Sequence, residues 1–461
     1  MLVSHKRRDN NARVPGETKT KAQAKPISMV RVALTSLAAS SIEWYDFFIY
    51  GTAAALVFPK LFFAAGLPPA VAQLASFSTF AVGFIARPVG GMVFGHFGDR
   101  MGRKKALVAA MLLMGLASTA VGLLPGYAKI GAAAPVILIV LRFLQGLAVG
   151  GQWGGAALLA IENAPAHRKG FYGSFAQMGV PAGLIIANFI FLVMGATVAP
   201  EAFVAWAWRI PFLMSVLLVG LALYVQLKLE DTPEFKALQE AAEQKEKAEG
   251  RVAGGSPILQ VLLKHPKEIL LAAGSVVANN GTFYIMITYA VAYATKTLHV
   301  ERPIILLAVM LGALIATPIL PITASLSDRF GRRGVFMAGA VLALLWSWPF
   351  FMLLDTGAFP LMLLALVGGL TFNNMMYGLQ AAMMTEMFST EFRYSGASLG
   401  YQIGSIFGGG FAPIIATALF EKHHTSMAIS AYMAVLCAVS LLSVFILTET
   451  HRKEDRTAPG A

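Results

Sequence analysis

The chain of 461 residues has a single cysteine, Cys437, which excludes a disulfide-stapled scaffold. Charge is scarce as well: Asp, Glu, Lys and Arg make up 13%, against about 25% in a soluble domain. So little polar surface cannot cover a water-facing fold, and a soluble enzyme is excluded. There is no metal-ligand cluster, no in-frame nucleophile elbow and no phosphate loop. No cofactor, metal or catalytic residue is therefore expected. Strict alternation of apolar and polar residues is missing, which argues against an outer-membrane barrel. The start, MLVSHKRRDNNARVPGETKTKAQAKP, lacks an apolar core and a cleavage site, so it is expected to be a cytoplasmic tail rather than a signal peptide. No histidine falls in a long apolar stretch, which rules out a histidine proton relay.

Apolar sequence is abundant. Hydrophobic residues account for 57% of the chain, and a membrane helix needs about 20 of them in succession. About twelve such stretches are predicted, near 31–57, 70–95, 106–125, 135–161, 170–195, 207–228, 268–295, 303–326, 334–353, 359–386, 395–420 and 426–448. The expected architecture is an all-α membrane protein of twelve helices in two pseudo-symmetric six-helix halves. These are residues 31–228 and 268–448, joined by a charged cytoplasmic linker, 229–267, and flanked by tails 1–30 and 449–461. With both termini inside, 28 of the 36 Lys and Arg residues fall on the cytoplasmic side, 6 on the outer side and 2 within spans. The net charge of +12 is thus an orientation signal, and nucleic acid is not needed to explain it.

Two loops repeat. GHFGDRMGRKK (Gly95–Lys105) follows span 2 and SLSDRFGRRG (Ser325–Gly334) follows span 8, with Asp99 and Asp328 229 residues apart. A second echo sets Glu162 and Arg168 after span 4 against Glu386 and Arg393 after span 10. Matching offsets point to homologous halves. Glycine permits the tight turn and the basic residues stay beside anionic lipid. A carboxylate such as Asp99 is expected to pair across the halves, with Arg393 or with the N-terminus of span 11, as a latch. The candidate latch residues are Gly95, Asp99, Arg100, Gly102, Arg103, Asp328, Arg329, Gly331, Arg332, Glu162, Arg168, Glu386 and Arg393.

With these loops, the segments SIEWYDFFIYGTAAALVFPKLFF (Ser41–Phe63), ARPVGGMVFGHFGDRMGRKK (Ala86–Lys105), RFLQGLAVGGQWGGAALLAIENAP (Arg142–Pro165) and TEMFSTEFRYSGASLGYQIGSIFGGG (Thr385–Gly410) resemble the metabolite:proton symporter family of the major facilitator superfamily. The resemblance covers almost the whole chain outside the tails. It implies proton-coupled uptake by alternating access across a bacterial inner membrane, as a monomer. Carboxylates (shikimate, α-ketoglutarate, citrate) and the osmolytes proline and betaine are the substrates of such proteins. The region from Thr385 looks most like the shikimate-type branch. The short tail lacks the coiled coil of the osmosensing carriers. One departure stands out: much of the family has glutamate where this chain has Gln152, and glutamine cannot carry a proton. A channel or a non-transporting sensor is the alternative from another class; the two-half repeat favours a carrier.

Ionisable groups at bilayer depth are costly and functional. Glu43 and Asp46 are three residues apart and share one face of span 1, which Tyr50 continues. At about 1.5 Å per residue, Asp46 and Arg142 of span 4 differ in depth by roughly 6 Å, within side-chain reach. Arg142, Gln145, Gln152 and Trp153 fall on one arc of span 4. Asp46 or Glu43 is expected to carry the proton. Arg142, with Gln145, Gln152, Trp153 and Tyr50, is expected to meet a small organic anion. Arg87, nearer the cytoplasmic end, is either functional or a residue that packs or snorkels toward that face. The second half offers only neutral groups at depth: Asn279 and Tyr284 in span 7, Asn373, Asn374 and Tyr377 in span 10, and Gln402 in span 11. These suit ligand orientation or interhelical bonding. Glycines at 146, 150 and 154, and at 396, 400, 404 and 408, predict close helix approach, and Gly408–Gly410 a softened span 11.

Overall fold

The computed structural model describes residues 29–101, 103–162, 166–217, 220, 257–388 and 393–448. Within them, the side chains of 29–36, 39, 95–107, 151–166, 257–260 and 393–395 lie outside the description. Helix dominates, as the membrane demands: every backbone polar group must be satisfied within its own segment. In chain order come α1 (Met29–Leu56), α2 (Pro69–Met101), α3 (Arg103–Leu123), α4 (Ala133–Glu162) and α5 (Lys169–Thr197). Helix α6 is described over residues 209–217. Then follow α7 (Pro266–Lys296), α8 (Arg302–Phe330), α9 (Arg332–Leu354), α10 (Phe359–Glu386), α11 (Arg393–His423) and α12 (Met427–Ile446). Among the described residues, nine of these are long and apolar enough to cross a membrane; α1, α3 and α6 are helical where the other three spans are expected. Large apolar side chains stand on the outside, among them Leu217, Leu116 and Phe445, as a lipid environment allows.

Among the described residues, helices α7, α8 and α11 depart from regular geometry, and a π turn, Phe203–Ala207, leads into α6. A π turn, Ile285–Tyr289, interrupts α7, and another, Ile406–Gly410, interrupts α11 at the glycine triplet. Helix α8 breaks at Thr317–Pro318 because proline supplies no N–H. The Leu320 N–H bonds to Thr317 instead, and the Asn374 amide takes the Ala316 carbonyl at 2.9 Å.

Glycines set the helix seams. A Cβ on Gly146 or Gly150 of α4 would lie 2.2 Å from the Gly83 carbonyl oxygen or 1.9 Å from that of Arg87, so α2 and α4 touch backbone to backbone. Gly404 and Gly408 of α11 meet the carbonyls of Ala273 and Val277 on α7 in the same way. Helices α1–α6 meet α7–α12 where α5 packs on α8 and α10, and where Phe84 of α2 fills the space over Gly409 and Gly410. Gly331, at φ +95°, ends α8 and admits α9. That left-handed conformation explains the glycine of the second loop motif.

Candidate functional site

The acidic face of α1 and the polar face of α4 converge in the first six helices. Asp46 is buried, and its Oδ2 accepts a hydrogen bond from Ser118 of α3. Gln145 Nε2 donates to the same serine oxygen at 2.6 Å, and Arg142 Nη1 donates to Gln145 Oε1 at 3.2 Å. Asp46 and Arg142 are thus joined through two intermediaries rather than by the direct contact their depth suggests. Asp46 Oδ1 has no hydrogen-bond partner, and the equally unpartnered hydroxyl of Ser215 on α6 lies beside the carboxylate. Arg142 is 1% exposed. Its guanidinium carbon sits 4.1 Å from the Tyr50 ring, 4.4 Å from Phe47 and 5.0 Å from Phe80. Tyr50 donates its hydroxyl to Thr79 at 2.8 Å. Arg142 therefore stands behind an aromatic wall, with Nε and Nη2 unpartnered.

The second buried arginine, Arg87, is 2% exposed. It is deep in the helix bundle, where snorkelling to solvent is impossible. It rests 4.4 Å from Phe84, 4.5 Å from Phe47 and 5.6 Å from Trp44, and its Nε and Nη2 also lack hydrogen-bond partners. Glu43 feels the charge of Arg87, although no ion pair forms between them.

Trp44 leads to a narrow cavity between the two sets of six helices. Val180, Pro181, Asn279, Asn280, Phe283, Tyr284, Asn373, Asn374, Tyr377 and Tyr401 complete its lining. It has room for about one water molecule. Five of the expected ligand residues, Asn279, Tyr284, Asn373, Asn374 and Tyr377, meet here. The asparagines also tie helices together: Asn279 Nδ2 donates to Asn373 Oδ1 at 3.0 Å, and Asn373 Nδ2 to the Asn279 carbonyl at 2.7 Å. Gln402 is buried on α11 with both amide atoms unpartnered, outside the cavity lining. Tyr401, its neighbour, takes the lining position. The side chains of Gln152, Trp153 and Glu162 lie outside the described residues. Sequence reasoning passed over Ser118, Ser215, Phe47 and Trp44, since a serine or an aromatic in an apolar helix carries no distinguishing mark.

The second loop motif forms a cross-helix cluster. Asp328 accepts hydrogen bonds from the backbone N–H of Gly170 (2.9 Å) and Phe171 (3.0 Å), the first turn of α5. Arg332, 1% exposed, pairs with Asp328 at 2.6 Å and with Glu386 at 3.0 Å. Arg168 and Arg329 are exposed. Of the first loop motif and the expected partners of Asp99, Gly102 and the side chains of Gly95, Asp99, Arg100, Arg103 and Arg393 lie outside the described residues. On the opposite face, Lys296 at the end of α7 donates to Gln73 Oε1 near the start of α2.

Residues 32–454 match the family model described as "Sugar (and other) transporter". The chain belongs to that family. It is therefore a membrane transporter and not an enzyme. Members similar to it include the shikimate transporter of Escherichia coli (strain K12), 39% identical over 427 residues, which are 92% of this chain and 95% of that protein. The inner membrane metabolite transport protein YhjE of the same organism is 39% identical over 428 residues, with the same coverage. The glycine betaine/proline/ectoine/pipecolic acid transporter OusA of Dickeya dadantii (strain 3937) is 32% identical, over 94% of this chain and 86% of that protein. In fold, the family member is like the inward-open xylose transporter XylE from E. coli: TM-score 0.70, 16% identity, 93% of this chain and 99% of that one.

Proposed function

We propose that the protein takes up a small organic anion together with a proton, by alternating access across a bacterial inner membrane. The buried chain Asp46–Ser118–Gln145–Arg142 carries this reading. A carboxylate with one oxygen unpartnered, linked by hydrogen bonds to a buried guanidinium, can exist in two protonation states, and Arg142 responds to each. Asp46 takes the proton from the outer side, and Glu43 adds a second carboxylate near Arg87. The anion enters the cavity beside Arg87, whose unpartnered nitrogens suit a carboxylate. Tyr284, Tyr377, Tyr401 and Asn280 surround it with hydroxyl and amide groups. A ring carboxylate bearing hydroxyls, of the shikimate kind, matches this chemistry and the name of a 39% identical relative.

The first and last six helices, 31–228 and 268–448, act as the rocking bodies, with Asp328 on the first turn of α5 as the cytoplasmic latch. The excess of Lys and Arg on the loop side supports cytoplasmic termini. The cavity is lined by residues of a single chain, which supports a monomeric carrier.

One feature favours a second substrate class. Trp44, Phe283, Tyr284, Tyr377 and Tyr401 give the cavity an aromatic lining, which suits a quaternary ammonium as well as a flat ring. A zwitterion such as betaine would set its carboxylate on Arg87 and its cation among these rings. Uptake of labelled shikimate, α-ketoglutarate, citrate and betaine by proteoliposomes, with and without an inward proton gradient, decides between them. Saturable uptake of one carboxylate, concentrated only with the gradient, is expected. Preference for betaine selects the second class, and gradient-independent saturable uptake overturns symport.

A further inference from the structure

Two buried guanidinium groups share one aromatic ring. Arg87 and Arg142 lie 4.5 and 4.4 Å from the centroid of Phe47, so their charges are within about 9 Å of each other, the sum of the two distances. Like charges this close in a water-poor interior repel strongly. Each arginine leaves two nitrogens without a hydrogen-bond partner. Phe47 directly follows Asp46 on α1 and packs 5.9 Å from Tyr284, a residue of the cavity wall. It therefore adjoins the protonatable carboxylate in the chain and the cavity wall in space.

We propose that Phe47 couples the two sites, as a positioning residue through which the charge state of Asp46 sets the affinity of the anion. This rests on the reading that Asp46 carries the proton and that Arg87 meets the anion. While Asp46 is ionised, its charge offsets that of Arg142 through Ser118 and Gln145. Once Asp46 is protonated, the offset is gone. Arg142 and Arg87 then compete for one electron-rich ring, and an anion arriving beside Arg87 relieves the repulsion. Proton binding thus strengthens anion binding, and by linkage the anion strengthens proton binding by the same factor. The groups facing this unit are Arg142, Ser118, Ser215 and Tyr45 around Asp46, and Arg87, Tyr50 and Tyr284 around the ring, with Glu43 acting on Arg87. Packing alone would be served by any apolar residue against Phe80 and Phe84; the ring is needed because only a π face attracts both cations.

The test replaces Phe47 in the full-length protein with phenylalanines bearing one, two and three ring fluorines. Fluorination drains the ring's negative face and barely changes its shape, so the fold is kept. Binding of labelled shikimate, or of whichever screened carboxylate the unaltered protein concentrates, is measured in proteoliposomes at acidic and alkaline pH. The ratio of the two affinities is expected to fall stepwise along the series, by on the order of tenfold overall, while substrate exchange at acidic pH persists. Phe47→Leu should give the end point, and Phe47→Trp should restore the ratio. An affinity ratio that stays constant across the series, with Asp46→Asn abolishing it, overturns the role of Phe47 and leaves the symport reading intact. A ratio that Asp46→Asn leaves unchanged overturns the assignment of Asp46 itself.

Discussion

Asp46 and Arg142 are connected without touching: Ser118 and Gln145 stand between them. A direct ion pair in a dry interior is stiff, because separating its members leaves two unpaired charges. A pair joined through two neutral groups can gain or lose a proton while Arg142 stays seated among Tyr50, Phe47 and Phe80.

Asp46→Asn is expected to abolish gradient-driven accumulation and to spare exchange of labelled for unlabelled substrate. An inward gradient of one pH unit concentrates a one-proton substrate about tenfold, so the ratio should fall from about ten to one. Ser118→Ala breaks the same chain at its middle. It leaves a carboxylate oxygen and the Gln145 amide unpaired, worth about 1–3 kcal/mol, and should weaken uptake by roughly five- to hundredfold. Initial rates in proteoliposomes check both.

Gly150→Ala should destabilise the seam between α2 and α4. The added methyl would sit 1.9 Å from the Arg87 carbonyl oxygen, which cannot yield as a side chain can. Overpacking of this kind costs about 1–3 kcal/mol or more, and the shift should also displace Arg87. Gly334→Ala in α9 meets nothing within 4 Å and should be neutral or slightly stabilising. Thermal unfolding in detergent compares the two.

Asp328→Asn removes the charge that holds the first turn of α5 but keeps a hydrogen-bonding side chain. It should open the face carrying the α8–α9 loop. Arg332→Ala instead strands the carboxylates of Asp328 and Glu386, each within 3.0 Å of it, and should cost several kcal/mol. Spin labels on exposed His167 and Phe330 would report a longer distance for the first variant; poor yield of folded protein is expected for the second.

Lys296→Met removes the bond to Gln73 that joins α7 to α2 on the opposite face. Opening of that face is expected, read as a longer distance between spin labels on exposed Val71 and Thr297. The single cysteine, Cys437, is buried, so introduced cysteines label selectively. An unchanged distance would mean that the bond holds nothing closed.

Much of the fold was legible because it is written locally. Apart from span 6, whose second part lies outside the described residues, and the end of span 2, which runs on to Met101, the predicted spans fall within a few residues of the helices, since apolar length and the 3.6-residue period need no knowledge of neighbours. Arg142 and Gln145, three apart, were placed on one face for the same reason, and they bond to each other. Ser118 was not legible. Its neighbour Thr119 donates to its own helix at Gly115, as most such hydroxyls do, while Ser118 bonds across to Asp46. The two look alike in sequence, and only the rotation of α3 against α1 separates them. Phe47 is similar: its composition says core, and its two cations appear only when α2 and α4 close on α1.

By itself, then, the sequence determined the helices, the asymmetry of charge, the repeated loops and the few ionisable groups left in the spans. Each follows from the cost of exposing backbone and charge to lipid, which acts residue by residue. The tertiary structure decided which of those groups meet. Glycine seams bring helix axes close enough to fix their rotation and depth, and contacts between side chains distant in the chain depend on both.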